Sequence, residues 1–99
     1  MLSRFRTYQL AVAFYRNAST VSVPAHLRDQ LRRAASSVVL NLSEGSAKRS
    51  TADRRRFYEI AFASHREVQA IMDLCGIESL AVQADQLAAS LYCLRRSLS

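Results

Sequence analysis

The chain has 99 residues and is strongly basic, with thirteen arginines and one lysine against eight acidic residues and a formal net charge of +6. A chain of this length forms a single domain, and its two glycines and one proline are too few for the many turns of a sheet protein. Its two cysteines lie far apart without histidines at zinc-ligand spacing, and no apolar run reaches the roughly 18 residues of a membrane span. The composition therefore excludes a sheet protein, a zinc module and a membrane partner, and it predicts a cytoplasmic all-α domain.

The first predicted helix covers about residues 3–17, with Ser3 as its N-cap. Its predicted buried face is formed by residues at helical spacings of three and four: Phe5, Tyr8, Val12 and Tyr15. The segment also carries arginines and no acid, as an organellar transit peptide does, and a cleaved leader is the alternative interpretation. The regular apolar spacing favours a core helix.

The two central helices are predicted at about 24–46 and 51–75. Pro24 opens the former, because the N–H that proline lacks has no partner in a first helical turn. Ser50 and Asp53 form a predicted capping pair for the latter, and Gly76 ends it. The predicted buried stripes are Leu27, Leu31, Ala34, Val38, Asn41 and Gly45 on the second helix, and Phe57, Ile60, Ala61, Ser64, Val68 and Ile71 on the third.

The last helix, predicted at about 79–97, carries a regular apolar seam with alternating spacings of four and three: Leu80, Ala84, Leu87, Leu91, Leu94 and Leu98. Short connections make successive helices antiparallel neighbours. The sequence therefore predicts one domain, residues 1–99, folded as an antiparallel up-down-up-down four-helix bundle.

Two motifs occupy the central helices. The pattern R-R-A-A-x-S-[IV]-x-x-N-[IL]-x-E-G is met from Arg32 to Gly45, and I-A-x-x-S-x-x-E is met from Ile60 to Glu67. With these motifs the chain resembles the small four-helix-bundle proteins related to the open reading frames of 23S ribosomal RNA intervening sequences. Val39-Leu40 departs from the family pattern, which often has a Pro and a small polar residue there.

This family is similar to the accessory variability protein of diversity-generating retroelements. The resemblance implies a homopentamer of bundles arranged as a barrel with a central opening. For that branch alone it also implies binding to nucleic acid and to a reverse transcriptase. Most family members have no established activity, so the resemblance implies the fold more strongly than the function.

Two polar residues interrupt the buried stripes of the central helices, Asn41 and Ser64, and two glutamates, Glu44 and Glu67, are expected at the bundle edge or subunit boundary. Two carboxylates on adjacent helices can in principle serve acid–base chemistry or bind a metal. A structural role is favoured, with Asn41 and Ser64 hydrogen-bonded across a tight helix pair and the glutamates paired with arginines. The Glu-x-x-His motif of bundle metal sites is absent, and both histidines are expected in solvent. No catalytic residue, cofactor or metal site is predicted.

A basic cluster surrounds the break between the central helices: Lys48, Arg49, Arg54, Arg55 and Arg56. Five positive charges within nine residues can contact several phosphates in a manner sensitive to salt and indifferent to base sequence. Consecutive arginines on a helix point in different directions, however, so a solvated or ion-paired role is the alternative. A GC-rich coding sequence would also favour arginine over lysine.

Apolar residues make up 49% of the chain, more than the core of a small bundle requires, which predicts apolar surface for other subunits. Four residues flank the main stripes and either widen the core faces or form the contacts with other subunits: Val39, Leu40, Tyr58 and Phe62. The leading hypothesis is a non-enzymatic homo-oligomeric scaffold that binds RNA or DNA. The alternative is a protein–protein adaptor, for which an acidic protein is the expected partner.

Overall fold

The computed structural model describes residues 2–98, and within that range it contains four α-helices and no strand. They are α1 (Leu2–Ala18), α2 (Ala25–Ala47), α3 (Thr51–Cys75) and α4 (Ala81–Arg96). Each helix packs against two others, so that contacts run from α1 to α2, α3, α4 and back to α1. This four-helix bundle confirms the predicted all-α class. Within the described part of the chain, no helix is both long and apolar enough to cross a membrane.

Local capping explains the ends of the central helices. The carbonyl of Pro24 accepts the N–H groups of Leu27 and Arg28, at 2.9 and 3.0 Å, and so starts α2. The Ser50 hydroxyl accepts the N–H of Asp53 at 3.1 Å at the start of α3. Gly76 ends α3 in the left-handed region, with φ of 63°, which glycine adopts without steric cost.

The outer helices begin elsewhere than predicted. Helix α1 starts at Leu2, so Ser3 lies within the helix and is not its N-cap. Helix α4 starts at Ala81 rather than near 79, after a turn in which the Ala81 N–H bonds the Glu78 carbonyl at 3.0 Å. The apolar seam of α4 nevertheless lies in the core as the spacing predicts, with these residues buried: Leu80, Ala84, Leu87, Leu91 and Leu94.

The predicted buried face of α1 is wrong by one helical position. Phe5 and Tyr8 are 61% and 39% exposed. The buried residues are Thr7, Ala11, Phe14 and Ala18, which also recur at helical spacing. Thr7 on this stripe gains a hydroxyl partner in Ser90 at 2.5 Å. Phe5 and Tyr8 lie on the flank, where they line a groove against α2.

Helices α2 and α3 are closely packed where Gly45 faces the ring of Tyr58. A methyl group at Gly45 would lie 2.7 Å from Cε1 of Tyr58, so only glycine leaves room for that ring. Tyr58 is 1% exposed, and its hydroxyl lies 3.2 Å from Oγ of Ser46. Ile60, which the spacing predicts to be buried, is instead 42% exposed, because the inward face of α3 is taken by Tyr58, Ala61 and Val68.

Candidate nucleic-acid interface

One end of the bundle brings together the start of α1, the end of α2, the start of α3 and the end of α4. Thr7 contacts Ser90 between α1 and α4, and Ser46 contacts Tyr58 between α2 and α3. The carboxylate of Glu59 on α3 pairs with Arg95 on α4 at 3.1 Å. We call this half of the molecule, formed by residues 2–10, 37–63 and 89–98, the basic end.

The formal net charge of the protein is concentrated at the basic end. Within residues 2–98 it contains nine of the fourteen basic residues and three of the eight acidic ones, an excess of six that equals the net charge. The other half has five residues of each sign. The nine cations are Arg4, Arg6, Lys48, Arg49, Arg54, Arg55, Arg56, Arg95 and Arg96.

Two members of the predicted basic cluster stabilise the turn between α2 and α3. Arg54 donates through Nε to the Lys48 carbonyl at 2.8 Å, which satisfies an acceptor at the end of α2. The Lys48 ammonium lies 3.2 Å from Glu44 and 5.3 Å from the centroid of the Phe57 ring. Both cations are half-buried, so their positions are set mainly by the protein itself.

The remaining members are exposed and differ in how they are held. The Arg55 guanidinium donates to the carbonyl of Leu98 and so ties the end of the chain to α3. Arg56 stacks its guanidinium 4.7 Å from the centroid of Phe57. For the Arg49 side chain no hydrogen bond or ion pair is found among residues 2–98. Arg49 and Arg56 are therefore the members best placed to bind an external anion.

Four further cations of the basic end come from the ends of the chain and were not among the predicted binding residues: Arg4, Arg6, Arg95 and Arg96. They are distant in sequence from the central cluster, so a search for consecutive charges does not find them. The signal was present in the predicted helix order, because antiparallel neighbours place the start of the first helix and the end of the fourth beside the connection between the central helices. Counting charges by bundle end, rather than along the chain, would have identified them.

The polar residues between α2 and α3 form a short network. Oγ of Ser37 lies 2.8 Å from Oγ of Ser64, and this bond crosses between the helices. Asn41 is only half-buried, and its amide donates to the Ser37 carbonyl at 2.8 Å within the same helix. The prediction that Asn41 is buried and pairs directly across α3 is therefore wrong, because the side chain bonds back to the preceding turn.

The two glutamates of the family motifs form ion pairs at the surface. Glu67 accepts from Arg33 at 2.9 Å, and Glu44 pairs with Lys48 at 3.2 Å. Exposed pairs of this kind contribute little, up to about 1 kcal/mol. Among residues 2–98, no group of three or more His, Cys, Asp or Glu side chains is placed to hold a metal ion.

His65 is fully buried, which corrects the prediction that both histidines are in solvent. Its ring is 1% exposed, and Nε2 lies 2.8 Å from the Ala84 carbonyl. A carbonyl only accepts, so Nε2 carries the proton and donates it. Burial lowers the pKa of His65 below its usual 6.5, against smaller opposing effects of the Ala84 carbonyl and Asp85. Nδ1 is buried and has no hydrogen-bond partner in the described part of the chain.

The predicted subunit-contact residues occupy different environments. Tyr58 cannot contact another subunit, because its side chain is 1% exposed in the single chain, and this prediction is wrong. Phe62 is half-buried beneath the Arg95 guanidinium, which lies 4.1 Å from the ring centroid. Val39 is half-buried against the core, whereas Leu40 is 66% exposed. Leu40 points away from the core together with two other exposed residues of α3, Ile60 and Leu74.

Comparisons with known proteins agree with this architecture. No curated protein matches the chain in sequence. One family profile, described as 23S rRNA-intervening sequence protein, matches residues 5–98, which include all of α2, α3 and α4 and most of α1. Because the match extends over nearly the whole sequence, the chain belongs to the 23S rRNA-intervening sequence protein family.

Proposed function

We propose that the protein is a non-enzymatic cytoplasmic scaffold that assembles as a homopentameric barrel of up-down-up-down bundles and binds nucleic acid through its basic end. The observation that carries this proposal is the concentration of all six excess positive charges at one end of the bundle. A polyanion is the partner that such a surface attracts most strongly, through contacts with successive phosphates. A ring repeats the surface on every subunit, so many weak contacts combine into a strong one.

The exposed arginines determine how the proposed surface works. Arg49 and Arg56 present guanidinium groups outside the turn that Arg54 and Lys48 hold in place. A guanidinium donates two parallel hydrogen bonds to a phosphate. Contacts of this kind position a polyanion without reading its base sequence.

An adaptor that binds an acidic protein is the second candidate. It is favoured by the engagement of Arg54 and Arg55 with backbone carbonyls, which leaves fewer guanidinium groups for a continuous phosphate backbone. A carboxylate-bearing partner needs only a few separate arginines. The two candidates make different predictions at low salt. The scaffold retains duplex or single-stranded nucleic acid, whereas the adaptor retains neither.

Reversing Arg49 and Arg56 to glutamate is expected to weaken nucleic-acid binding on all base sequences alike. The slope of log K against log salt should become shallower by roughly 0.7–0.9 for each phosphate that the variant no longer binds. Fluorescence anisotropy of labelled oligonucleotides over a salt series measures both effects. The matched control is Arg16→Glu with Arg32→Glu, an equal charge change at exposed positions of the neutral half. Equal weakening in both double variants would show that total charge, rather than the basic end, determines binding.

Light scattering is expected to give about five times the 11.1 kDa mass of the single chain. A cyclic pentamer uses two different surfaces of each subunit, and we place one of them on the outer face of α2 and α3, where Leu40, Ile60 and Leu74 are exposed. The double variant Leu40→Glu with Leu74→Glu should then dissociate to monomers with unchanged helicity. Val82→Glu is the control, since Val82 is 70% exposed on α4, outside this face. A wild-type mass near 11 kDa at micromolar concentration would contradict the oligomer.

A further inference from the structure

Helices α3 and α4 are separated by an open groove of about 670 Å³. The groove exists because the wall formed by α4 consists largely of small side chains, which cannot fill the space between the helices. They are Ala81, Ala84, Ala88 and Ala89. The opposite wall includes the larger side chains of Phe62, Arg66 and Gln69 on α3.

One half of this groove is lined by Phe62, Arg66 and Tyr92, and the guanidinium groups of Arg95 and Arg96 lie beside these rings, at the edge of the groove. Arg95 lies 4.1 Å from the centroid of Phe62 and 5.8 Å from that of Tyr92. Arg96 lies 5.7 Å from the Tyr92 centroid, and Arg66 lies 6.0 Å from that of Phe62. We call these five residues the stacking cluster.

Tyr92 is the member of the stacking cluster that is open to a ligand. Its side chain is 44% exposed and lines the groove, whereas Phe62 is half-buried and already covered by Arg95. Arg95 is held in place by Glu59 at 3.1 Å, and Arg96 donates to the Tyr92 hydroxyl at 3.3 Å. The Tyr92 ring therefore keeps accessible surface, while Arg96 contacts its hydroxyl and Arg95 lies beside it.

The two halves of the groove carry charges of opposite sign. The stacking cluster lies toward the basic end, because Arg95 and Arg96 form the last turn of α4. The opposite half of the groove carries the carboxylates of Asp73 and Asp85. A phosphate is attracted to the half with the arginines and repelled by the half with the aspartates, so the groove accommodates a short segment of a polyanion that enters from the basic end.

We infer that this groove binds single-stranded nucleic acid, with an unpaired base stacked on Tyr92 and the adjoining phosphate held by Arg96. Aromatic stacking beside a cationic surface is the combination by which proteins bind single strands. In a duplex each base is already stacked and paired, so its face cannot reach the ring without disrupting the helix. The inference rests on the proposed nucleic-acid binding and adds to it a preference for unpaired strands.

The experiment compares the affinity for a labelled deoxythymidine oligonucleotide of about 15 nucleotides with that for a duplex of equal length, both by anisotropy at low salt. Tyr92→Ala should weaken single-strand binding by about 5- to 150-fold, the range for removal of one stacked base, and leave duplex binding unchanged. Tyr92→Phe keeps the ring and should keep the single-strand affinity although it removes the hydroxyl that Arg96 contacts. Tyr8→Ala is the matched control, since Tyr8 is 39% exposed on α1 in a different groove.

The outcomes separate this inference from the function on which it rests. If wild type binds both oligonucleotides and Tyr92→Ala weakens both or neither, the stacking site is refuted while nucleic-acid binding stands. If Tyr92→Phe weakens binding as much as Tyr92→Ala, the hydroxyl rather than the ring is responsible, which also refutes stacking. If wild type binds neither oligonucleotide at low salt, both proposals fail and the groove is open to a protein segment instead.

Discussion

Replacing Gly45 with alanine is expected to destabilise the bundle by about 2 kcal/mol, although alanine is the better helix former. Helix propensity alone would stabilise the variant by about 1 kcal/mol. The added methyl group would lie 2.7 and 2.9 Å from two carbons of the Tyr58 ring and 3.1 Å from Cβ of Phe57. Tyr58 is fully buried and cannot swing away, so α2 and α3 must separate. Urea denaturation with a fixed m-value measures the change in stability.

Two further variants isolate this steric effect. Ala63→Gly, at an exposed interior position of α3, measures the cost of glycine in this bundle without a packing change. Gly45→Ala combined with Tyr58→Leu removes most of the ring that the methyl group would meet, so the two substitutions should be less than additive. A higher urea midpoint for Gly45→Ala alone would contradict the prediction, because it would mean that α2 and α3 accommodate the methyl group without a loss of stability.

Acidification from pH 7 to pH 5.5 is expected to destabilise the wild-type protein through His65. The unfolded chain binds a proton at His65 near pH 6.5, whereas burial lowers the pKa in the folded state. Between these two values the unfolded state holds more protons, so the free energy of unfolding falls as the pH falls, by at most about 1.4 kcal/mol per pH unit. Well above pH 6.5 the ring is neutral in both states and its contribution is constant.

Substitution by glutamine tests the assignment to this histidine. His65→Gln retains a donor for the Ala84 carbonyl but has no proton to gain, so its stability should be nearly level between pH 7 and 5.5. His26→Gln is the control, because His26 is exposed, and it should keep the wild-type pH dependence. An unchanged slope in His65→Gln would assign the acid sensitivity to other groups.

The fold was predictable where large apolar residues occupy one stripe alone. On α4 the leucines at spacings of three and four leave a single choice of inward face, and that face is buried. On α1 two stripes compete, and hydrophobicity favours the aromatic one of Phe5 and Tyr8. The structure instead buries the stripe that contains Ala11, Phe14 and Ala18. Periodicity records a residue's polarity but not the distance between helices.

The candidate site was predictable in location but not in composition. The cluster around Arg54 and Arg55 does lie at the basic end, yet these two side chains bond backbone carbonyls, a role that depends on the fold. Tyr58 was predicted at a subunit contact because it flanks the main apolar stripe of the third helix, and His65 was predicted in solvent. Both side chains are buried, Tyr58 with Ser46 as its partner and His65 with the Ala84 carbonyl, and no local sequence pattern predicts these partners.

In the proposed ring, the uneven distribution of charge would link assembly to ionic conditions. Subunits related by a rotation axis point their basic ends the same way, so the basic ends of neighbouring subunits would repel one another in a ring. Added salt screens that repulsion within a Debye length of about 8–10 Å and tightens the ring, while the same salt releases a bound polyanion. Nucleic acid would itself act as the counterion that neutralises the basic ends. At low salt, bound nucleic acid should therefore promote assembly by neutralising the repulsion between subunits. At high salt, the ring should form without nucleic acid, because salt screens the repulsion and also releases the polyanion.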